Sequence, residues 1–136
     1  TILRLAQQRD KLTIVNDQIG SPTGAELIAD ITADALLLLR HQSEVSGVYH
    51  LTAKGYTSWY AFAGFILEHV RRANFPLKIQ SDALWPIASV DFPLPAERPL
   101  NSRLSTYKLE KTFALNLPAW QAGVSRVLAE LLSKEN

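Results

Sequence analysis

Apolar side chains recur at spacings of three and four along three stretches of the chain, which is the pattern of one buried helix face. The pattern predicts helices over 23 to about 40, from 57 or 58 to about 73, and from 116 towards the end of the chain. The positions predicted to be buried are Leu27, Ile28, Ile31, Ala35 and Leu38 in the first helix, Trp59, Phe62, Ala63, Ile66 and Val70 in the second, and Trp120, Val124, Val127, Leu128 and Leu131 in the third.

Helical composition and short apolar runs predict the remaining elements, which are helices over 1–9 and 105–113 and strands over 11–15, 48–52 and 77–80. A proline-rich segment from 81 to 105 is predicted to be a long, ordered loop, because proline prevents regular helix. The resulting order, α-β-α-β-α-β-loop-α-α, predicts an α/β fold with parallel strand pairing.

The strand-to-helix turn from Val15 to Glu26 is the stretch around which the prediction is built. Proteins of the α/β class place ligand sites at such turns, because the helix brings free N–H groups there. Thr23 and Glu26 have the spacing of a capping box, in which Thr23 accepts from the N–H of Glu26 and Glu26 reaches back to the N–H of Thr23. The pair predicts where the helix begins and names no ligand.

An acidic stripe runs along the first long helix, where Glu26, Asp30 and Asp34 recur every four residues. The simpler interpretation is a solvated face, with Glu26 stabilised by the helix dipole. The alternative is a cation site or a subunit contact. Glu26 and Asp30 lie one turn apart and can share a hard cation such as magnesium, which prefers carboxylate oxygens.

Two arginines in the predicted loop, Arg98 and Arg103, flank Asn101 and Ser102. This cluster suits an anion, because a guanidinium donates two parallel hydrogen bonds to phosphate or carboxylate. A structural arginine that binds loop carbonyls explains the spacing equally well. His50, in the predicted strand 48–52, has the same two interpretations: a ligand or acid–base group, or a hydrogen-bonded structural residue, which we favour.

The composition fits one globular domain of 136 residues with a formal net charge of +1. No block of like charge favours nucleic acid or an anionic membrane as a partner, and no apolar run is long enough to span a bilayer. The absence of cysteine excludes disulfides and thiolate metal sites. We expect a cytoplasmic setting. The chain contains no Met, and we expect it to be a piece of a longer protein.

Several motifs of nucleotide-dependent and hydrolytic enzymes are missing from the sequence. It contains no G-x-G-x-x-G turn, no P-loop and no G-x-S-x-G elbow. The residues by themselves therefore predict a ligand-facing α/β segment without a complete catalytic apparatus, and no catalytic residue is assigned.

Five motifs, in order and in register along nearly the whole chain, resemble the dTDP-4-dehydrorhamnose reductase family. They are Val15-Asn16-Asp17-Gln18-x-Gly20-x-Pro22-Thr23, Gly47-x-Tyr49-His50-Leu51, Ser58-Trp59, Pro93-x-Pro95-Ala96-x-Arg98-Pro99-x-Asn101-Ser102-x-Leu104 and Leu117-Pro118-x-Trp120. The resemblance covers the C-terminal part of that family's chain. It implies that residues 1–136 are the substrate-binding portion of an extended short-chain dehydrogenase, with late Rossmann elements and a small substrate domain. The N-terminal dinucleotide-binding domain, with its Tyr/Lys pair, is absent.

The resemblance also implies a function and a set of site residues. The family reduces dTDP-6-deoxy-L-lyxo-4-hexulose with NADPH to dTDP-L-rhamnose, a precursor of bacterial surface polysaccharides. Arg98 would then grip the substrate diphosphate, with Asn101 and Ser102 at the same wall. The family is described as magnesium-dependent dimers, so Glu26 and Asp30 are the implied metal ligands. Two other interpretations stay open: a non-catalytic regulatory subunit with a reductase-like fold, and an isolated interaction domain.

Overall fold

The computed structural model describes residues 1–92, 96 and 98–134 of the chain. Pro93, Leu94, Pro95 and Glu97, which belong to the predicted loop, lie outside the described residues. The helices are α1 (Ile2–Gln8), α2 (Ala25–Leu39), α3 (Trp59–Arg72), α4 (Tyr107–Thr112) and α5 (Trp120–Lys134), and the strands are β1 (Leu12–Val15), β2 (Ile19–Gly20), β3 (Thr57–Ser58) and β4 (Leu84–Ile87).

A parallel pair of strands, β1 and β4, forms the larger of the two sheets. Leu12 pairs with Leu84 and Val15 pairs with Ile87, so the predicted α/β class with parallel pairing is confirmed. Strand β4 lies inside the segment predicted to be a loop, and that part of the prediction was wrong. Pro86 argued against a strand, but a proline is tolerated in a strand at the edge of a sheet, where its missing N–H has no partner to serve.

Two predicted strands, 48–52 and 77–80, are not strands in the structure. The first is extended without a neighbouring strand, and Val48 in it is 81% exposed. In the second, the N–H groups of Lys78 and Ile79 both donate to the carbonyl of Ala6 after a turn. Short apolar runs identify extended or buried backbone, but a strand also needs a partner strand, and neither segment has one among the described residues.

Helix α3 is the centre of the core and begins as predicted. The hydroxyl of Ser58 accepts a hydrogen bond of 3.1 Å from the N–H of Ala61, which caps the helix. Its two largest fully buried side chains, Leu67 and Val70, belong to different clusters. One cluster joins α3 to α1 and β1, and its buried members are Ala6, Leu12, Leu67 and Ile79. The other joins α3 to α5, and its buried members are Ile66, Val70 and Leu128.

The other two long helices bury less than the pattern predicts. Helix α2 has no buried residue, and Leu36 and Leu37 in it are each 59% exposed. On α5, Leu128 is buried whereas Val127 and Leu131 are exposed. Helix α5 also begins at Trp120, two positions later than the predicted first turn at Pro118. Among the described residues, no helix combines the length and the apolar character needed to cross a membrane.

Candidate functional site

The turn after β1 is fastened to the segment that follows β4 through a carboxylate. Asp17 accepts two hydrogen bonds from the N–H of Ser89, at 3.0 and 2.9 Å, and one of 2.6 Å from the Ser89 hydroxyl. The amide of Gln18 donates to the same hydroxyl oxygen at 2.9 Å. Ser89 opens a short 3₁₀ helix that ends at Asp91. The turn thereby fixes the start of the segment that leads to Arg98.

The next residues of the same turn hold the far end of that segment. The N–H of Ile19 donates to the carbonyl of Leu100 at 2.8 Å, and its carbonyl accepts from the N–H of Ser102 at 2.9 Å. The Ser102 hydroxyl donates to the Ile19 carbonyl as well, at 3.0 Å. Gly20 pairs with Thr57 in the antiparallel β2–β3 ribbon. Residues 17–20 therefore form a hydrogen-bonded hub between three distant parts of the chain.

Gly20 leaves room for the Ser102 side chain, because a Cβ placed there would lie 2.7 Å from the Oγ of Ser102. We expect Gly20→Ala to turn the Ser102 hydroxyl away, break its bond to the Ile19 carbonyl and lower the free energy of unfolding by about 0.5–1.5 kcal/mol in urea titrations. Gly123→Ala in α5 is the matched control, because a Cβ there meets nothing within 4 Å. It should raise stability by roughly 0.5–1 kcal/mol. Equal effects of the two substitutions would contradict the close approach.

The capping box predicted for α2 is not formed. The Thr23 hydroxyl donates to the carbonyl of Ser21 at 2.9 Å and accepts from the N–H of Ala53 at 3.0 Å. The helix begins after Gly24 without a side-chain cap. Thr23 is used to join the turn to the 48–54 segment, so its oxygen is not available to the helix.

An open groove of about 1770 Å³ extends from α1 and β1 past α5 to the turn, and Arg98 lines it. Trp59 and Phe92 also line the groove and are 48% and 46% exposed. Gln18 and Thr23 form its wall at the turn. Aromatic faces stack on nucleobases, and a guanidinium binds phosphate in two-pronged geometry. The groove is therefore lined by both aromatic and cationic side chains.

The predicted anion cluster divides into groups with different surroundings. Arg98 is exposed on the groove, whereas the Arg103 guanidinium donates to Asn101 Oδ1 at 2.9 Å and lies 4.7 Å from the ring centroid of Tyr56. Ser102 bonds the Ile19 carbonyl, as described above. Arg98 therefore lies on the groove, whereas Arg103 is held by Asn101 and Tyr56.

The acidic stripe meets a cation of the protein itself. The Glu26 carboxylate forms an ion pair and hydrogen bond with Arg126 of α5, and Asp30 and Asp34 are exposed. Among the residues that the structure describes, no group of three or more His, Asp or Glu lies together. Two carboxylates one turn apart suit magnesium, which keeps several waters, but Arg126 would compete for Glu26. The assignment of magnesium to Glu26 and Asp30 stays a prediction.

Two site features escaped the sequence interpretation. The Asp17–Ser89 clamp joins residues far apart in sequence, and no local spacing indicates it. Trp59 was assigned to the core as the first residue of the α3 stripe, but it faces the groove, because the helix begins there and only its later turns are covered.

His50 is exposed and does not lie at the end of a strand. The structural role favoured for it assumed a buried strand end, and that reason no longer applies.

The clamp should be sensitive to acid, because hydrogen bonds from the Ser89 hydroxyl and then from its N–H lower the pKa of Asp17 below the ordinary value of 3.8. A lowered folded pKa gives stability that is complete above 3.8 and is lost as the pH falls through the folded pKa. The stability difference between wild type and Asp17→Asn should be constant near neutral pH and shrink below 3.8. Urea titrations across that range measure it. Ser89→Ala should weaken this pH dependence, and an unchanged profile would contradict the clamp.

Comparison with known proteins gives one consistent family. A family model described as the RmlD substrate binding domain matches residues 1–133. The dTDP-4-dehydrorhamnose reductase of Escherichia coli (strain K12) is 47% identical over 133 residues, which make up 98% of this chain and 44% of that relative. The resemblance seen in the five sequence motifs is therefore confirmed.

Solved structures agree with the sequence comparison. A dTDP-4-dehydrorhamnose reductase from Clostridium acetobutylicum ATCC 824 superposes with a TM-score of 0.77 at 29% identity, covering 97% of this chain and 42% of that one. The Bacillus anthracis str. Ames reductase in complex with NADP gives a TM-score of 0.70 at 27% identity, covering 95% and 41%. The chain spans less than half of the length of these relatives.

Proposed function

Because this chain belongs to the RmlD substrate-binding domain family, we propose that it supplies nucleotide-sugar binding to an NADPH-dependent dTDP-4-dehydrorhamnose reductase. The observation that carries the proposal is the position of the exposed Arg98 on a groove that the half-exposed rings of Trp59 and Phe92 also line. The reaction is the reduction of the C4 ketone of dTDP-6-deoxy-L-lyxo-4-hexulose to dTDP-L-rhamnose, an oxidoreductase step of polysaccharide biosynthesis, in the cytoplasm of a bacterium.

In this proposal, the chain's share of the chemistry is binding and orientation. Arg98 neutralises the diphosphate, and an aromatic face supports the base. Holding these two groups fixes the sugar at the far end of the substrate, which places its carbonyl for reaction. Asn101 and Ser102 are exposed but are not among the residues that line the groove, and they stay predicted substrate contacts.

The residues of this chain do not fit the NADPH pyrophosphate. The sequence contains no Gly-rich turn whose N–H groups would bind that pyrophosphate. We therefore assign NADPH, which supplies hydride when bound, to a separate dinucleotide-binding domain. The exposed apolar side chains along the groove, including Val127 and Leu131 of α5, offer a surface for that domain. Relatives more than twice as long as this chain support the assignment.

Calorimetric titration of the 136-residue protein with dTDP, dTMP and thymidine tests the proposal. We expect dTDP to bind most tightly and thymidine most weakly, because each phosphate adds charge-assisted hydrogen bonds to Arg98. The protein should not oxidise NADPH, with or without the sugar nucleotide. Equal affinities for the three ligands, or no binding of any of them, would contradict the proposed site.

A non-catalytic subunit with a reductase-like fold is the second candidate function. A Gly-rich dinucleotide turn and a catalytic Tyr/Lys pair, both expected outside these 136 residues, are the features that distinguish it from the reductase. The two functions differ in the gene: an upstream region that encodes both motifs supports the reductase, and a longer gene product that lacks the Tyr/Lys pair supports the non-catalytic subunit.

Magnesium and dimer formation belong to the proposal through Glu26 and Asp30. Sedimentation with and without magnesium should show a metal-promoted dimer in wild type and its loss in Glu26→Gln, because the carboxylate is the proposed ligand. Arg126→Gln should strengthen magnesium binding, since it removes the competing guanidinium. If wild type, Glu26→Gln and Arg126→Gln sediment alike at every magnesium concentration, Glu26 serves only its pair with Arg126.

A further inference from the structure

The segment that carries Arg98 is attached at both ends to one short turn. Ser89, before it, is bound by Asp17, and Leu100 and Ser102, after it, are bound by Ile19. We propose that residues 17–20 are a two-ended anchor that positions Arg98 for its anion, with Asp17 as the positioning residue at one end. The inference rests on the proposed function, since it concerns how the same nucleotide site is held.

The Asp17 end is strong for a chemical reason. A carboxylate only accepts hydrogen bonds, and here both oxygens accept from a single residue, Ser89. Such bonds to a charged acceptor are stronger than neutral ones. Gln18 donates to the Ser89 hydroxyl oxygen, which orients that hydroxyl towards Asp17. One serine is thereby held by two consecutive side chains of the turn.

The opposite end uses backbone rather than charge. Ile19 donates to Leu100 and accepts from Ser102, which is a short bridge of strand-like pairing. Gly20 lets Ser102 approach within the space that a Cβ would fill. Ser89 on one side of Arg98, and Leu100 and Ser102 on the other, are thus bound by residues only two positions apart in the turn, Asp17 and Ile19.

Hydrogen bonds that hold the chain on both sides of an exposed arginine affect how that side chain binds a ligand. A long side chain on a loosely held segment loses freedom when it binds, and that loss weakens binding. Anchoring removes part of the loss before the ligand arrives. Releasing the Asp17 end should therefore raise the Kd for dTDP about three- to tenfold, although Asp17 is not itself proposed to contact the ligand.

The test compares Asp17→Asn with Asp91→Asn by calorimetric titration with dTDP. Asp91 lies in the 3₁₀ helix that Ser89 opens, so the control removes the same charge from the anchored segment. We expect a raised Kd in Asp17→Asn and an unchanged Kd in Asp91→Asn. Ser89→Ala keeps the Asp17 carboxylate and removes the hydroxyl that donates to it, so it should raise the Kd less than Asp17→Asn does. It replaces Asp17→Asn in the test if that variant does not fold.

A double variant shows whether Asp17 acts through Arg98. If it does, Asp17→Asn/Arg98→Ala should bind dTDP no more weakly than Arg98→Ala alone. Additive losses would overturn the positioning role, and so would an unchanged Kd in Asp17→Asn when Arg98→Ala binds weakly. If Arg98→Ala binds dTDP as wild type does, the proposed function fails and the anchor has no ligand to serve.

Hydrogen exchange separates positioning from mere stability. Asp17→Asn should speed exchange of the N–H groups of Ser89 and Ser102, which the anchor protects, while the amides of α3 keep their wild-type rates. Faster exchange with a raised Kd supports the anchor. Uniformly faster exchange across α3 would make Asp17 a general stability residue and overturn the inference.

Discussion

Replacing Arg98 by alanine is expected to raise the Kd for dTDP about 10- to 100-fold, the loss that corresponds to one charge-assisted interaction of ~1.5–3 kcal/mol. Arg98 is exposed on the groove, so its removal should leave folding intact. The affinity for thymidine, which lacks phosphate, should hardly change. Titration of both ligands into wild type and variant measures the contrast.

Two further arginine variants make this result specific. Arg98→Lys keeps the charge and loses the two-pronged geometry, so its affinity should lie between those of wild type and Arg98→Ala. Arg103→Ala removes an equal charge from the other side of Asn101, where the guanidinium is already bound to Asn101 and stacked on Tyr56. A larger loss in Arg103→Ala than in Arg98→Ala would transfer the anion site to Arg103.

Replacing Leu67 by alanine should lower the free energy of unfolding by about 2–5 kcal/mol. Leu67 is 1% exposed and packs with Ala6, Leu12 and Ile79, so the shortened side chain leaves a cavity where α1, β1 and α3 meet. The change should appear as a lower urea midpoint with an unchanged slope.

The control is the same substitution on α2. Leu36 is 59% exposed, so Leu36→Ala should alter stability by no more than roughly 0.5 kcal/mol. A loss at Leu36 that equals the loss at Leu67 would mean that α2 is buried in solution, for example in a dimer. Repeating the titration over a range of protein concentrations distinguishes that case, because only an associated state gains stability with concentration.

The parts of the fold that the sequence predicts are those with local causes. Ser58 caps α3 through the N–H of Ala61, three residues away, and a local pattern can indicate that bond. The parallel β1–β4 pair follows from the α/β order, but the position of β4 does not, because Pro86 weakens its pattern. The prediction of a strand over 48–52 was wrong, because the fold, and not the sequence of the segment, decides whether another strand lies beside it.

The candidate site shows the same division. Arg98 was predicted by its neighbours in sequence and lies on the groove. Thr23 was expected to cap α2, but its hydroxyl is taken by Ala53, a residue of another segment. The Asp17–Ser89 bonds span a separation of 72 residues and could not be inferred from spacing. The sequence thus identifies which side chains carry chemistry, and the hydrogen bonds decide which of them remain available for it.

The shallow packing of α2 has a consequence for how the protein unfolds. Its backbone is protected mainly by its own hydrogen bonds, because none of its side chains is buried. Opening this helix exposes little apolar surface beyond what solvent already reaches, so it requires less free energy than opening α3. We therefore expect the free energy of opening to be lower for α2 than for the core, so that α2 opens and closes while the core around α3 stays folded. The Glu26–Arg126 ion pair links α2 to α5, and because both side chains are about half exposed it should oppose that opening only weakly.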